Sequence, residues 1–473
     1  MSPARGRSPR RAAGPGRPVA RGSPGSGAGP AASPPVTIAL AMIPLRMVPL
    51  AELPPEALRT SLAALQERYA ALTRRGLKLD MTRGKPAPEQ LDLSEGLLAL
   101  PGNRDHLTET GEDARNYGGL QGLAEVRRLF APILGAPPEQ VAVGNNSSLA
   151  LMHDCLVYAL LKGVPGGAGP WSREGEIRFL CPVPGYDRHF ALCETYGIVM
   201  EPVPMNPDGP DLGSVEERLR DPRVKGMWCV PQYANPGGET YAESTVERLA
   251  AMPAAAPDFR LFWDNAYALH HLTERRPALR NVLEAAAAAG QPDRPIVFAS
   301  TSKVTLAGAG LAFLAASPAN LRWYLAHAGK RSIGPDKLNQ LRHARFLSRE
   351  GALEALMDGH RRLLAPKFRA VTTILERELG GSGAARWTNP EGGYFILLEV
   401  PEGCATRVVE LAAGSGLALT PAGATHPYGR DPQDRMLRLA PSYPSLAEVE
   451  AAAEVVALCT LLAATEARLR AVA

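Results

Sequence analysis

Between about residues 89 and 335, short apolar runs alternate with stretches whose apolar residues recur every three or four positions. The runs at 140–144, 177–181, 198–203, 226–231, 259–263, 296–300 and 311–315 are brief and apolar, and they predict seven strands. The stretches at 121–134, 147–162, 186–196, 212–220 and 243–252 predict helices. Strands that alternate with helices predict a mainly parallel sheet covered on both faces. Residues 340–380 carry a long helical pattern, with an interruption expected near Pro366 because proline lacks the amide donor. Beyond it, residues 394–398, 417–419 and 436–439 predict a small sheet, and 446–473 a closing helix. The alanine run at 285–289 predicts a helix end or an insertion. Upstream, Leu53-Pro54-Pro55-Glu56 opens a helix that continues through Leu58, Leu62, Leu65, Tyr69 and Leu72.

A chain of 473 residues exceeds one typical domain, and 45% apolar with 21% charged residues is ordinary for a soluble globular protein. The expected division is a tail at 1–46, an N-terminal segment at 47–88 packing with the small domain, a large domain at 89–335, and an interdomain helix with a small α+β domain at 336–473. Arg, Pro, Gly, Ala and Ser dominate the tail, which cannot bury enough surface to fold and is expected to be disordered. It is too rich in Pro and Gly for the amphipathic helix of a transit peptide, and Met47 begins a sensible protein. The formal charge is +4, yet the tail alone holds seven arginines and no Lys, Asp or Glu, which leaves −3 for the remainder. The body therefore offers no electrostatic case for nucleic acid. The six cysteines form no C-x-x-C pair, and Cys155, Cys181 and Cys229 lie in apolar runs. They read as core residues of a reduced, cytoplasmic protein, without a zinc site or other metal. No apolar run approaches a membrane span.

The predicted strands end in chemistry. Ile296–Ala299 runs into Ser300-Thr301-Ser302-Lys303, then the Gly-rich Ala307-Gly308-Ala309-Gly310. A lysine just past a buried strand is desolvated, so its amine is free to form a Schiff base with a carbonyl, and flanking serines suit a phosphate. Leu261-Phe262-Trp263 runs into Asp264-Asn265-Ala266-Tyr267, and the strand at 226–231 into Gln232-Tyr233-Ala234-Asn235-Pro236-Gly237. Parallel strands would bring Asn235, Asp264 and Lys303 to one sheet edge, where ligands bind. Pyridoxal 5'-phosphate needs this set: an amine for its aldehyde, an anion beside its ring nitrogen, and donors to its phenolic oxygen.

Asn-Pro-Gly at 235–237, Asp-x-Ala-Tyr at 264–267 and Ser-x-Ser-Lys at 300–303, in that order, resemble the class I aminotransferases of the fold type I pyridoxal-phosphate enzymes. The resemblance runs from about Leu79 to the C-terminus. Met81-Thr82-Arg83-Gly84-Lys85-Pro86 and Gly144-Asn145-Asn146-Ser147-Ser148-Leu149 resemble a divergent bacterial subgroup of aspartate aminotransferases. The resemblance implies the PLP-dependent transferase fold type I, an α/β architecture whose large domain holds a mainly parallel seven-stranded sheet between helices. It implies transamination between L-aspartate and 2-oxoglutarate in ping-pong order, by a homodimer with shared active sites.

It also implies roles. Lys303 carries the cofactor and moves the substrate proton. Asp264 pairs with the pyridine nitrogen, supported by His189, three residues beyond the ring-stacking Tyr186. Asn235 and Tyr267 hydrogen-bond the phenolic oxygen, and Asn235-Pro236 is expected to be cis. The Gly144-Asn145-Asn146-Ser147 turn at a helix N-terminus, with Ser300 and Ser302, takes the phosphate. Tyr117 reaches the phosphate of the neighbouring subunit. Arg438 grips the substrate α-carboxylate with the backbone near Gly84, a task for which Arg435 is one strand step off in facing. Arg83 and Lys85 are candidates for the second carboxylate of a dicarboxylic substrate. One departure stands out: Leu311 occupies the place where most class I relatives have a phosphate-binding arginine, and Lys330 and Arg331 are replacement candidates. Aromatic or branched-chain specificity and β-elimination on the same scaffold are the alternative activities. A ligand-sensing regulator would need a DNA-binding domain that residues 1–46 cannot form.

Overall fold

The computed structural model describes Val48–Val472, so the tail at 1–46 and Met47 lie outside the described residues. The described chain belongs to one compact unit. Its centre is an eight-stranded sheet in the order Val141–Val143, Ala312–Ala316, Pro295–Ser300, Arg260–Asp264, Val224–Cys229, Arg178–Val183, Val199–Asn206, Gly209–Pro210. All seven predicted strands are present. The eighth is a two-residue return strand, antiparallel to Val199–Asn206, too short to register as an apolar run. Among the seven, Ala312–Ala316 alone runs against the others, pairing antiparallel on both sides.

The central strands are buried on both faces, which is why they read as unbroken apolar runs. Alternate side chains feed two cores. Leu261, Trp263 and Val297 point to one, with helix Ala124–Leu134. Phe262, Phe298 and Trp228 point to the other, with helices Ser148–Lys162 and Asp187–Thr195. Asp264 is two residues beyond Phe262, so the strand's period of two aims it at the second face.

A third core unites the C-terminal elements with helix Pro55–Thr73. Helices Pro55–Thr73 and Ala352–Leu379 both pack on the closing helix Leu446–Val472. The expected interruption near Pro366 does not occur: Ala352–Leu379 is continuous, and the break separates it from Lys337–Phe346, at the left-handed Gly351 (φ +72°). Pro366 is flanked by buried Leu364, Lys367 and Phe368, so packing on the last helix outweighs the lost donor. The small sheet also differs from expectation. Arg386–Trp387, Ile396–Glu399 and Met436–Leu439 form it, whereas Leu417–Ala418 pairs in parallel with Leu79–Asp80. Gly416 permits that pairing, since a Cβ at this position (φ +89°) would overlap the carbonyl oxygen of Leu77.

Candidate active site

Three neighbouring parallel strands, ending at Cys229, Asp264 and Ser300, deliver Asn235, Asp264 and Lys303 to the same edge of the sheet. There the three side chains line one cavity of about 230 Å³ with Ser147, Tyr186, Tyr267, Ser300 and Ser302. Eight residues expected from sequence therefore meet around a single space.

Lys303 is half-buried by surface area because it lines the cavity, but protein surrounds its amine. That enclosure lowers its pKa, and the Asp264 carboxylate only partly offsets it. The amine lies 5.0 Å from the centre of the Tyr267 ring and 5.9 Å from that of Tyr394. Behind the lysine, His270 Nε2 donates to its carbonyl at 3.2 Å, and burial with the nearby Lys303 charge pushes the His270 pKa down to about 3. Buried Gln90 donates from Nε2 to His360 Nδ1 and to the Tyr394 hydroxyl, both at 3.0 Å, and accepts from the Ala87 amide. These residues fix the wall that carries the lysine, and local sequence signals none of them.

His189 and Asp264 are both buried, and Nε2 of the histidine donates to Oδ2 of the carboxylate at 3.1 Å. The imidazole stacks on Trp228 at 4.4 Å with 10° between planes, and the Tyr186 ring meets its edge at 4.9 Å. Burial, reinforced by the Asp264 charge, pushes the Tyr186 phenol up to about 12. Tyr267, enclosed still further, is raised well above its ordinary value, mainly by burial. Both phenols thus stay protonated donors at neutral pH. The Asn235-Pro236 peptide is cis. Three buried polar atoms in this wall, Oδ1 and Nδ2 of Asn235 and Oδ1 of Asp264, have no protein partner. Unpaired buried groups are costly, so this set calls for a polar occupant with an acceptor beside the amide and a proton beside the carboxylate.

Ser147 caps helix Ser148–Lys162, accepting from the Ala150 amide at 3.1 Å. Ser302 donates to the carbonyl of Asn146 at 3.0 Å, joining this helix N-terminus to the lysine loop. The Asn146 side chain turns away from the cavity to the Gly308 carbonyl, and Asn145 accepts from the Asp336 amide. Asn146 is therefore a brace of the turn. Leu311 is buried in the sheet core, and its amide donates to Thr301 Oγ1 at 2.8 Å. Neither Lys330 nor Arg331 lines the cavity, and Arg331 pairs with Asp154 at 2.9 Å.

Arg438 is 8% exposed, its guanidinium 4.9 Å from the centre of the Phe395 ring. Its Nη1 donates to Asp187 Oδ1 at 2.7 Å, a partner that the sequence pattern did not single out. Arg435 is bound to Glu399 instead. Gly84 lies against Phe395, where a Cβ would overlap the ring. Its neighbours point elsewhere: Arg83 is near Asp80 at 3.5 Å, and the Lys85 amine is 3.9 Å above the Tyr443 ring. Tyr117 is 78% exposed and outside the cavity.

The geometry matches known proteins. Residues 53–471 fit the family model described as aspartate amino-transferase. The chain belongs to the aspartate aminotransferase family. An aspartate aminotransferase of Corynebacterium glutamicum is 50% identical over 402 residues, 85% of this chain and 93% of that protein. A crystal structure of an aspartate transaminase from Corynebacterium glutamicum superposes with a TM-score of 0.88 at 48% identity, covering 89% of this chain and all of that one. An alpha-aminoadipate aminotransferase from Thermus thermophilus, complexed with N-(5'-phosphopyridoxyl)-L-leucine, superposes with a TM-score of 0.66 at 25% identity, over 84% of this chain and 95% of that one. As an aminotransferase of this family, the chain has the mainly parallel α/β sheet that its sequence pattern predicts.

Proposed function

We propose that the protein transfers the amino group of L-aspartate to 2-oxoglutarate with pyridoxal 5'-phosphate as cofactor. The observation that carries this reading is the enclosed Lys303 amine of lowered pKa sharing one cavity with a buried, histidine-backed Asp264. The choice of aspartate is supported by the relative from Corynebacterium glutamicum.

When bound, the cofactor supplies an electron sink for negative charge at the substrate Cα. Lys303 would hold it through its amine, and that amine would serve as the base that takes the Cα proton. A lowered pKa keeps more of that amine in the neutral form a base needs. Asp264, oriented by His189, would offer its unpaired oxygen to the pyridine nitrogen. Asn235 and Tyr267 would donate to the phenolic oxygen, and Tyr186 would pack on the ring. Ser147, Ser300 and the helix N-terminus, where free amides favour an anion, would hold the phosphate, with Ser302 bracing the turn through Asn146. With Leu311 in the core, neutral donors and the helix end carry that task. Arg438 takes the α-carboxylate, and Arg83 or Lys85 turns to the distal one.

Tyr117 serves a second copy of the chain. Its exposed ring, with Ile333 at 64% exposure beyond the Gly118–Gly334 contact, is suited to a homodimer interface. The six free, buried cysteines suit a reducing cytoplasm. Among the described residues no helix is long and apolar enough to cross a membrane.

Turnover of a panel of amino donors with 2-oxoglutarate tests the reading. Aspartate is expected to give the highest kcat/KM. Arg83→Ala or Lys85→Ala should cost about ten- to hundred-fold with aspartate and far less with alanine, the loss expected for one charge-assisted hydrogen bond. A wild-type preference for a neutral donor would overturn the aspartate assignment.

A further inference from the structure

We infer that Asp187 is a positioning residue that holds Arg438 in the orientation that receives the substrate carboxylate. The inference rests on the transaminase reading above. Arg438 comes from strand Met436–Leu439, whose Leu437 and Leu439 belong to the C-terminal core. Lys303, Asp264 and Tyr186 come from the eight-stranded sheet and its covering helix. The arginine therefore has to be set in place relative to a wall built by another part of the fold.

Asp187 makes that connection. It is the first residue of helix Asp187–Thr195 and directly follows Tyr186, a lining residue of the cavity. Its Oδ1 accepts from Arg438 Nη1 at 2.7 Å. Nearby, the Gly185 amide donates to the carbonyl of Thr425, in the loop that precedes the Arg438 strand, at 2.8 Å. An aspartate in a helix's first turn ordinarily serves the helix dipole in water. This one faces a guanidinium that is 8% exposed, and a buried charge needs a partner.

The contact is one-ended. Among the described residues Nη1 is the only atom of this guanidinium with a hydrogen-bond partner, and Nε is buried without one. Nε and Nη2 form the edge that a carboxylate engages through two parallel hydrogen bonds. Asp187 thus satisfies part of the charge and fixes the plane, with Phe395 beneath it, while the two-pronged edge stays uncommitted.

The test compares wild type, Asp187→Asn and Asp187→Ala as holoenzymes. Each is checked for cofactor absorbance and melting temperature, then assayed with varied L-aspartate and titrated with the dicarboxylate maleate. Asp187→Ala is expected to raise the aspartate KM and the maleate Kd about ten- to hundred-fold, with kcat changed by less than about threefold. Asp187→Asn keeps an oxygen acceptor and should recover a substantial part of both. Unchanged or tighter binding in Asp187→Ala would overturn the inference, the tighter result meaning that Asp187 competes for the arginine. An Asn variant no better than Ala would overturn it too, as would a fall in kcat and melting temperature at unchanged KM. A wild type that loads the cofactor but turns over no amino acid would sink the functional reading instead, and the maleate titration would still decide the role of Asp187.

Discussion

His189 donates its Nε2 proton to Asp264 Oδ2 at 3.1 Å, while Oδ1 of the same carboxylate has no protein partner. The pair therefore has a fixed side and an open side. Trp228, stacked on the imidazole, holds the fixed side in place.

Removing the fixed side should loosen the cofactor. His189→Leu leaves both oxygens of a buried carboxylate unpaired, and a hydrogen bond to a charged group contributes ~1.5–3 kcal/mol. Cofactor affinity, followed by absorbance during dialysis, is expected to fall about ten- to hundred-fold. An unchanged Kd would mean that His189 only fills space beside Trp228.

The central strands and their terminal residues were legible because burial on both faces makes each strand an unbroken apolar run, and the first polar residue after it stands at the sheet edge. That logic reaches Asp264 and Lys303 directly. It does not reach Asp187, because an aspartate opening a helix is common and its partner Arg438 lies 251 residues away. Gln90, His270 and His360 were hidden for the same reason: their partners are set by tertiary packing. Leu417–Ala418 is legible as a strand, but its pairing with Leu79–Asp80 depends on a close backbone approach at Gly416 that periodicity does not encode. At Pro366 the local rule for proline was outweighed by packing on the last helix. The place of Asn146 in the turn predicts a phosphate ligand, whereas its side-chain amide is bound to Gly308.

The enclosed lysine should leave a mark on stability. In the unfolded chain it titrates near its ordinary value of 10.5, and burial lowers that value in the folded protein. Between the two values the unfolded state binds more protons, so this group's penalty on folding shrinks as pH rises toward 10.5. With cofactor removed from both proteins, Lys303→Met is expected to unfold at higher temperature than wild type at about pH 7. The difference should narrow as pH rises to 10.5. Scanning calorimetry across that range checks it, and parallel pH profiles for the two proteins would contradict it.

Gly84 should tolerate no side chain. A Cβ there overlaps the Phe395 ring, which also lies under the Arg438 guanidinium and edge-on to Tyr267. Gly84→Ala is expected to cost ~1–3 kcal/mol in denaturant unfolding, the usual range for overpacking. Adding Phe395→Leu should recover part of that loss. A double variant whose destabilisation equals the sum of the two single ones would show that the glycine is required for another reason.

The chemistry of Lys303 can be read directly. The enzyme is reconstituted with pyridoxal 5'-phosphate, reduced with borohydride to fix the cofactor to the amine that holds it, digested, and mapped by mass spectrometry. One cofactor per chain is expected on the peptide containing Lys303, with no turnover in Lys303→Ala. A label on any other lysine, with full activity in Lys303→Ala, would contradict it.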